Sequence, residues 1–206
     1  MAGKILALVG PSGVGKNYLK SAIYKDFPEI KELTVFTTRP RRKSDGIDRV
    51  AGLEKQYLFD MAEKGEMVAV HKPFSDLDYW YGFSKKQITE LLGQNKNILT
   101  EIHVDNVEFF KKKYSREIFI IGITALTDYL DKNIQSRGSE NESDRIARLK
   151  MAEKENAEIK KLYSDKFIDR IFEANWENRD NLFEAVIAEV RGFIEDRESN
   201  ELKKLR

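Results

Sequence analysis

The sequence predicts an α/β layered fold with a parallel sheet, and three observations carry that prediction. Ile5 to Val9 and Ile118 to Thr124 are continuous apolar runs of strand length, the pattern of strands covered on both faces. Segments with helical spacing alternate with such runs, the clearest being Leu182, Phe183, Val186, Ile187, Val190, Phe193 and Ile194. A glycine-rich turn follows the first run and leads into a helix-compatible segment in which Leu19 and Ile23 lie four apart.

The remaining elements follow along the chain. Ser84-Lys-Lys-Gln87 reads as a capping box ahead of Ile88, Leu91 and Leu92, and Asp105 to Glu108 as a second one before Phe109, Phe110 and Tyr114. Ile98 to Val104 and Phe167 to Phe172 are weaker strand candidates. Residues 35–83 lack a long helical stripe, carry the basic cluster Arg39-Pro-Arg-Arg-Lys43 and end in Tyr79-Trp-Tyr81, which predicts an inserted, strand-containing unit. Residues 137–154 are polar and charge-dense, with Gly138 a helix stop and Ser143 a restart, and the tail from Arg197 to Arg206 is predicted to fray.

Composition narrows the function. With 206 residues, at one domain per ~150 residues, the chain makes one domain with insertions or two at most. Its 36 basic and 35 acidic residues leave a charge of +1, which argues against a dedicated nucleic-acid binder. The absence of cysteine excludes a disulfide scaffold and a Cys-built zinc site. No apolar run approaches the ~18 residues of a membrane span, and MAGKILALVG lacks a cleavage signal, so a soluble cytoplasmic enzyme is expected.

Chemistry enters at Gly10-Pro-Ser-Gly-Val-Gly15-Lys16-Asn17, which fits the phosphate-loop pattern at every position but the last, where Ser or Thr is usual. The glycines let backbone N–H groups turn inward around an anion, and the following helix adds its positive end. Gly10, Ser12, Gly13, Val14, Gly15, Lys16 and Asn17 are therefore the expected triphosphate site, with Lys16 as the point charge on the terminal phosphates. Asn17 offers an amide oxygen where a hydroxyl normally joins a Mg²⁺ shell, a longer and weaker candidate ligand. Thr37-Thr38-Arg39-Pro40-Arg41-Arg42 places guanidinium groups suited to a second phosphate, and Arg137 and Arg148 on the polar segment suit a lid closing over a transferring phosphoryl group.

At this point the chain resembles the guanylate kinase family over nearly its whole length. The matching pieces, in order, are GPSGVGK, TTRPRR, the Gly46-Ile-Asp48 turn, Tyr81-Gly82, Ile98-Leu-Thr-Glu101, Ser136-Arg137-Gly138, Ile146-Ala-Arg148-Leu149 and Ala174-Asn175. The resemblance implies a three-layer P-loop kinase core with a five-stranded parallel sheet, an inserted mixed-β subdomain for the monophosphate acceptor and a helical lid. On that basis residues 1–34, 84–125 and 155–198 form the core, 35–83 the acceptor unit, 126–154 the lid and 199–206 a charged tail. It implies transfer of the ATP γ-phosphoryl group to GMP with Mg²⁺, in a monomer or homodimer whose partners are small nucleotides. Lys16 would hold ATP phosphates, Arg39, Arg42 and Tyr81 the acceptor phosphate, Glu101 the acceptor base and Asn175 the adenine, with Arg137 and Arg148 stabilising the transition state. Plain structural readings stand beside these: surface charge for Arg41, Arg42 and Lys43, core packing for Tyr81, and a strand-end ion pair for Glu101.

The departures from the family cluster at the acceptor. Val35, Arg49, Ala69 and Phe83 stand where the family carries polar groups facing the acceptor nucleoside, and His103 stands in place of a second aspartate. Loss of paired donors and acceptors removes discrimination at the acceptor base, so the expectation is that the acceptor is not GMP or that GMP is used poorly. Two alternatives follow: a related kinase with another phosphorylated acceptor, such as a different nucleotide or ribose bisphosphate, and a kinase-derived binding module. Lys16, Arg137 and Arg148 argue against the module; Asn17 and His103 argue for it.

Overall fold

The computed structural model describes residues 3–41, 46, 49–73, 78–136 and 142–202. Within these, β1 (Ile5–Val9), β2 (Lys31–Glu32), β7 (Ile98–Glu101), β8 (Ile118–Ala125) and β9 (Arg170–Ala174) form one sheet in the order β2-β7-β1-β8-β9, with every pairing parallel. A smaller sheet is built from β3 (Val35–Thr37), β4 (Arg49–Ala51), β5 (Met67–His71) and β6 (Tyr81–Ser84) in the order β4-β3-β6-β5. It is mixed: β3 runs parallel to β4 and antiparallel to β6, and β5 runs antiparallel to β6.

The continuous apolar run of β1 follows from its central position. Leu6 and Leu8 point to one face, where they meet Leu19 and Ile23 of α1 (Lys16–Asp26) and Val186 and Val190 of α7 (Arg179–Leu202). Ile5, Ala7 and Val9 point to the other, beside Ile88 of α3 (Lys85–Gly93), Phe110 of α4 (Val107–Lys113) and Ile159 of α6 (Glu142–Ser164). A strand covered on both faces has no polar side to alternate with. Two further helices complete the set described: α2 (Lys55–Glu63) within the smaller-sheet region, and α5 (Thr127–Gln135) after β8.

Several boundaries differ from the sequence prediction for local reasons. The β9 strand starts at Arg170 rather than Phe167 because α6 first closes on itself. Lys166 takes φ 67°, and the amides of Phe167 and Ile168 return to the carbonyl of Leu162. The β7 strand ends at Glu101; Ile102 donates the last rung to Leu8, and the chain then turns through a 3₁₀ segment at Val104–Asn106. His103, not Asp105, occupies the N-cap of that turn, so the second capping box does not form. The first forms by half: Ser84 accepts from the amide of Gln87 at 3.2 Å, while the Gln87 side chain turns to Thr34. The short helix α2 escapes the periodicity because only Leu58 of its nine residues is buried. Finally, α6 begins at Glu142 and continues unbroken past residue 154, and α7 runs on to Leu202 through the stretch predicted to fray.

A fully buried side chain on the central strand is costly to truncate. Leu8→Ala should lower the free energy of unfolding by about 2–5 kcal/mol, read as a reduced urea midpoint at unchanged slope.

Candidate active site

Parallel strands end at one edge of the sheet, and the loop after β1 opens there. Gly10 cannot carry a side chain, since a Cβ would lie 2.6 Å from the carbonyl oxygen of Ile123 on β8. Gly15 caps α1 at φ 106°, a left-handed conformation that glycine adopts without strain. The loop therefore passes from strand to helix in a tight curve. Lys16 folds back over it, donating to the carbonyls of Gly10 at 2.7 Å and Pro11 at 3.1 Å. Asn133 of α5 steadies the outer side by donating to the Gly13 carbonyl at 3.0 Å.

A cleft of about 510 Å³ runs from this loop to the smaller sheet. It is lined by Gly10, Ser12, Gly13, Gly15, Lys16 and Asn17 on one side, and by Arg39, Arg49, His71 and Tyr81 on the other. Arg39 is 4% exposed, so its charge faces the protein interior rather than bulk water. Its amide donates to Thr37 Oγ1 at 3.1 Å and its Nη1 to the Pro40 carbonyl at 2.7 Å. Tyr81 lines the cleft and also packs against the core.

Glu101, at the end of β7, lies between the two sides. Its carboxylate is 4.0 Å from Lys16 Nζ and 3.3 Å from Lys20 Nζ, and Lys20 also pairs with Glu32. Burial pushes the Glu101 carboxyl up, but the cations Lys16, Lys20 and Arg49 outweigh burial and hold it below the usual carboxylate range. Glu101 is thus an ion-pair partner and a cleft residue at once.

Arg148, on α6, donates from Nη1 to Ser12 Oγ at 3.0 Å and so reaches the phosphate loop. Further along α6, Glu155 pairs with His103 Nε2 at 3.0 Å, and Asp105 sits 3.1 Å from His103 Nδ1. The ring of His103 stacks on His71 at 5.3 Å. Burial works against the His103 charge, yet Asp105 and Glu155 prevail and raise its pKa to about 9. Burial, reinforced by the His103 cation, lowers His71 to about 4.

Four expected site residues stand apart. Val14 is buried in the core and meets the cleft only through its backbone neighbours. Arg42 and Arg137 lie outside the described residues. Asn175 is absent from the cleft lining; its Oδ1 accepts from the amides of Glu177 at 3.0 Å and Asn178 at 2.9 Å, so it fastens the turn into α7. Conversely, Lys20, Glu32, His71 and Glu155 line the cleft without having been singled out. Lys20 was discoverable, lying one helical turn beyond Lys16; the others depend on contacts between distant segments.

Comparison with known proteins settles the family. A family model described as "Guanylate kinase" matches residues 2–192. The chain belongs to the guanylate kinase family. It is 28% identical over 196 residues to the guanylate kinase of Thermotoga maritima, covering 94% of this chain and 90% of the relative. It is 30% identical over 164 residues to that of Mycoplasma mobile, covering 74% and 79%. In fold it is similar to the crystal structure of guanylate kinase from Anaplasma phagocytophilum, with TM-score 0.65, 19% identity, and 93% of this chain and 86% of that one covered. Within this guanylate kinase-family cleft, the smaller sheet supplies Val35 and Phe83 as buried apolar walls and Arg49 as an added cation.

The His103 pKa has a stability consequence. Its folded value of about 9 lies above the ordinary 6.5, so its pairing stabilises the fold fully below pH 6.5 and is lost as pH rises through 9. His103→Gln should fall furthest below the parent in urea midpoint near about pH 6 and close most of that gap by about pH 9.5; unfolding curves across that range check it.

Proposed function

We propose that this chain catalyses ATP-dependent phosphoryl transfer to a nucleoside monophosphate, with GMP as the acceptor. The observation that carries the reading is one cleft bearing a phosphate loop on one wall and buried Arg39 on the other, with Arg148 reaching between. Relatives named guanylate kinase support GMP at moderate identity, and another phosphorylated acceptor is not better supported. The reading treats 35–83 as the acceptor unit, 126–154 as the lid, and the protein as a cytoplasmic monomer or homodimer acting on small nucleotides. No helix among the described residues is long and apolar enough to cross a membrane.

In this scheme the loop amides and Lys16 hold the ATP β- and γ-phosphates, exchanging the Gly10 and Pro11 carbonyls for charged oxygens that bind an ammonium more strongly. Arg39, with Arg42 and Tyr81, holds the acceptor phosphate; Glu101 faces the acceptor base. An acceptor phosphate oxygen attacks the γ-phosphorus, the bond to the β–γ bridging oxygen breaks, and ADP leaves. Arg148 and Arg137 neutralise charge on the equatorial oxygens as this happens. Asn175 stands outside the cleft lining and its carbonyl oxygen serves the α7 turn, so its role toward the adenine falls to its amide nitrogen. Asn17 lines the cleft one residue beyond Lys16, and its amide oxygen is a hard donor that fits Mg²⁺. Bound there, the ion would supply charge neutralisation on the β- and γ-phosphates.

ADP release from ATP in the presence of GMP, measured beside other monophosphates, tests the reading. Saturable, GMP-dependent turnover is expected, and Lys16→Ala should lower it by roughly 10²-fold or more. No transfer to any monophosphate, or equal rates for Lys16→Ala and the parent, would overturn the assignment. Asn17→Ser should raise kcat at fixed Mg²⁺ by shortening the ligand to the usual hydroxyl, read in a Mg²⁺ titration of both proteins.

A further inference from the structure

Helix α6 lines the cleft with one face, from Arg148 through Met151 and Glu155 to Ile159. Arg148 and Glu155 are seven residues apart, which is close to two turns, so their side chains project in the same direction. Arg148 lies on Ser12 of the phosphate loop, and Glu155 lies on His103 beyond the end of β7. The helix is also held at Asn156, whose amide exchanges hydrogen bonds with Ala125 at the end of β8, donating at 2.7 Å and accepting at 3.4 Å. Its buried Ala152, Ile159 and Leu162 seat it against the core, and Arg145 pairs with Asp131 of α5 at 2.6 Å. The pair with His103 adds an attachment on the cleft side, about two turns from Arg148.

His103 is a firm second point because it is itself fixed from other elements. Asp105 of the 3₁₀ turn pairs with its Nδ1, and its ring lies on His71 of β5, which Asn106 holds by donating at 2.8 Å. The side chains of His103 and Glu155 are 13% and 14% exposed, so their ion pair is weakly screened compared with surface pairs. Glu155, as an anion beside a cleft for phosphates, gains nothing from the substrates; its partner is the protein.

We infer that His103 is a positioning residue: its ion pair with Glu155 fixes the roll of α6 and thereby holds Arg148 over the phosphate loop. His103 touches no phosphate in this scheme and acts through Arg148. The kinetic test rests on the phosphotransfer reading above; the exchange test does not.

In the full-length protein, His103→Gln should lower kcat about tenfold with KM for ATP changed less than about twofold, and His103→Lys should recover most of the loss by restoring a cation. Glu155→Gln should match His103→Gln, and the double variant should be as slow as either. In an Arg148→Ala background, His103→Gln should cost nothing further, because the residue it serves is gone. An equal loss in both backgrounds would overturn the inference, as would recovery of rate in His103→Gln/Glu155→Gln, which would show that His103 only cancels the Glu155 charge. Independently of activity, amide hydrogen exchange across residues 148–158 should quicken about tenfold in His103→Gln while that of residues 182–190 in α7 stays at the parent rate. Unchanged exchange across 148–158 would overturn the inference even in a protein that transferred no phosphate.

Discussion

Everything at the cleft depends on the curve that carries β1 into α1. Gly15 adopts a left-handed conformation there, and Gly10 passes the β8 backbone at a distance no side chain would allow. Around that curve the neighbouring cations are held by the protein. Lys16 rests on two backbone carbonyls, Arg148 on a serine hydroxyl and Arg39 on a proline carbonyl. Carbonyls and hydroxyls are weaker partners for a cation than a phosphate oxygen, and Lys16 also stands 4.0 Å from the Glu101 carboxylate. Lys20 differs: it lies between the carboxylates of Glu32 and Glu101 and is committed to the protein.

Much of the core was legible because burial on two faces leaves a plain mark. The β1 run is predicted to the residue, and β8 to within one, since both are interior strands with no polar alternation. The α7 stripe is equally plain, with Leu182, Phe183, Val186 and Val190 all buried. Elements that bury little left no such mark. The helix α2 contributes one core residue, and the apolar pair Phe167 and Ile168 imitates a strand although it closes the end of α6.

The site divides in the same way. The phosphate loop is contiguous, so its residue types and spacing could be read directly, and Arg39 and Arg148 were reached through short motifs that the fold then brought to one cleft. Groups defined by a partner far away in the chain were beyond reach. His103 was visible only as a departure; that it would pair with Glu155, fifty-two positions later, follows from the packing of α6 against the sheet and from nothing local. Asn175 shows the opposite case. Its motif is contiguous, but an asparagine two and three residues before the amides at a helix entry is also a capping group, and there its oxygen is engaged.

The contact of Gly15 with Phe183 bears on how the protein is made. A Cβ at Gly15 would lie 3.4 Å from the Phe183 ring, so the anion cradle near the start of the chain rests on a helix near its end. The strand feeding the cradle is likewise clamped between β7 and β8, both remote in sequence. During translation, therefore, the glycines emerge well before the helix they pack against, and a nascent chain halted before residue 183 would display them without that support.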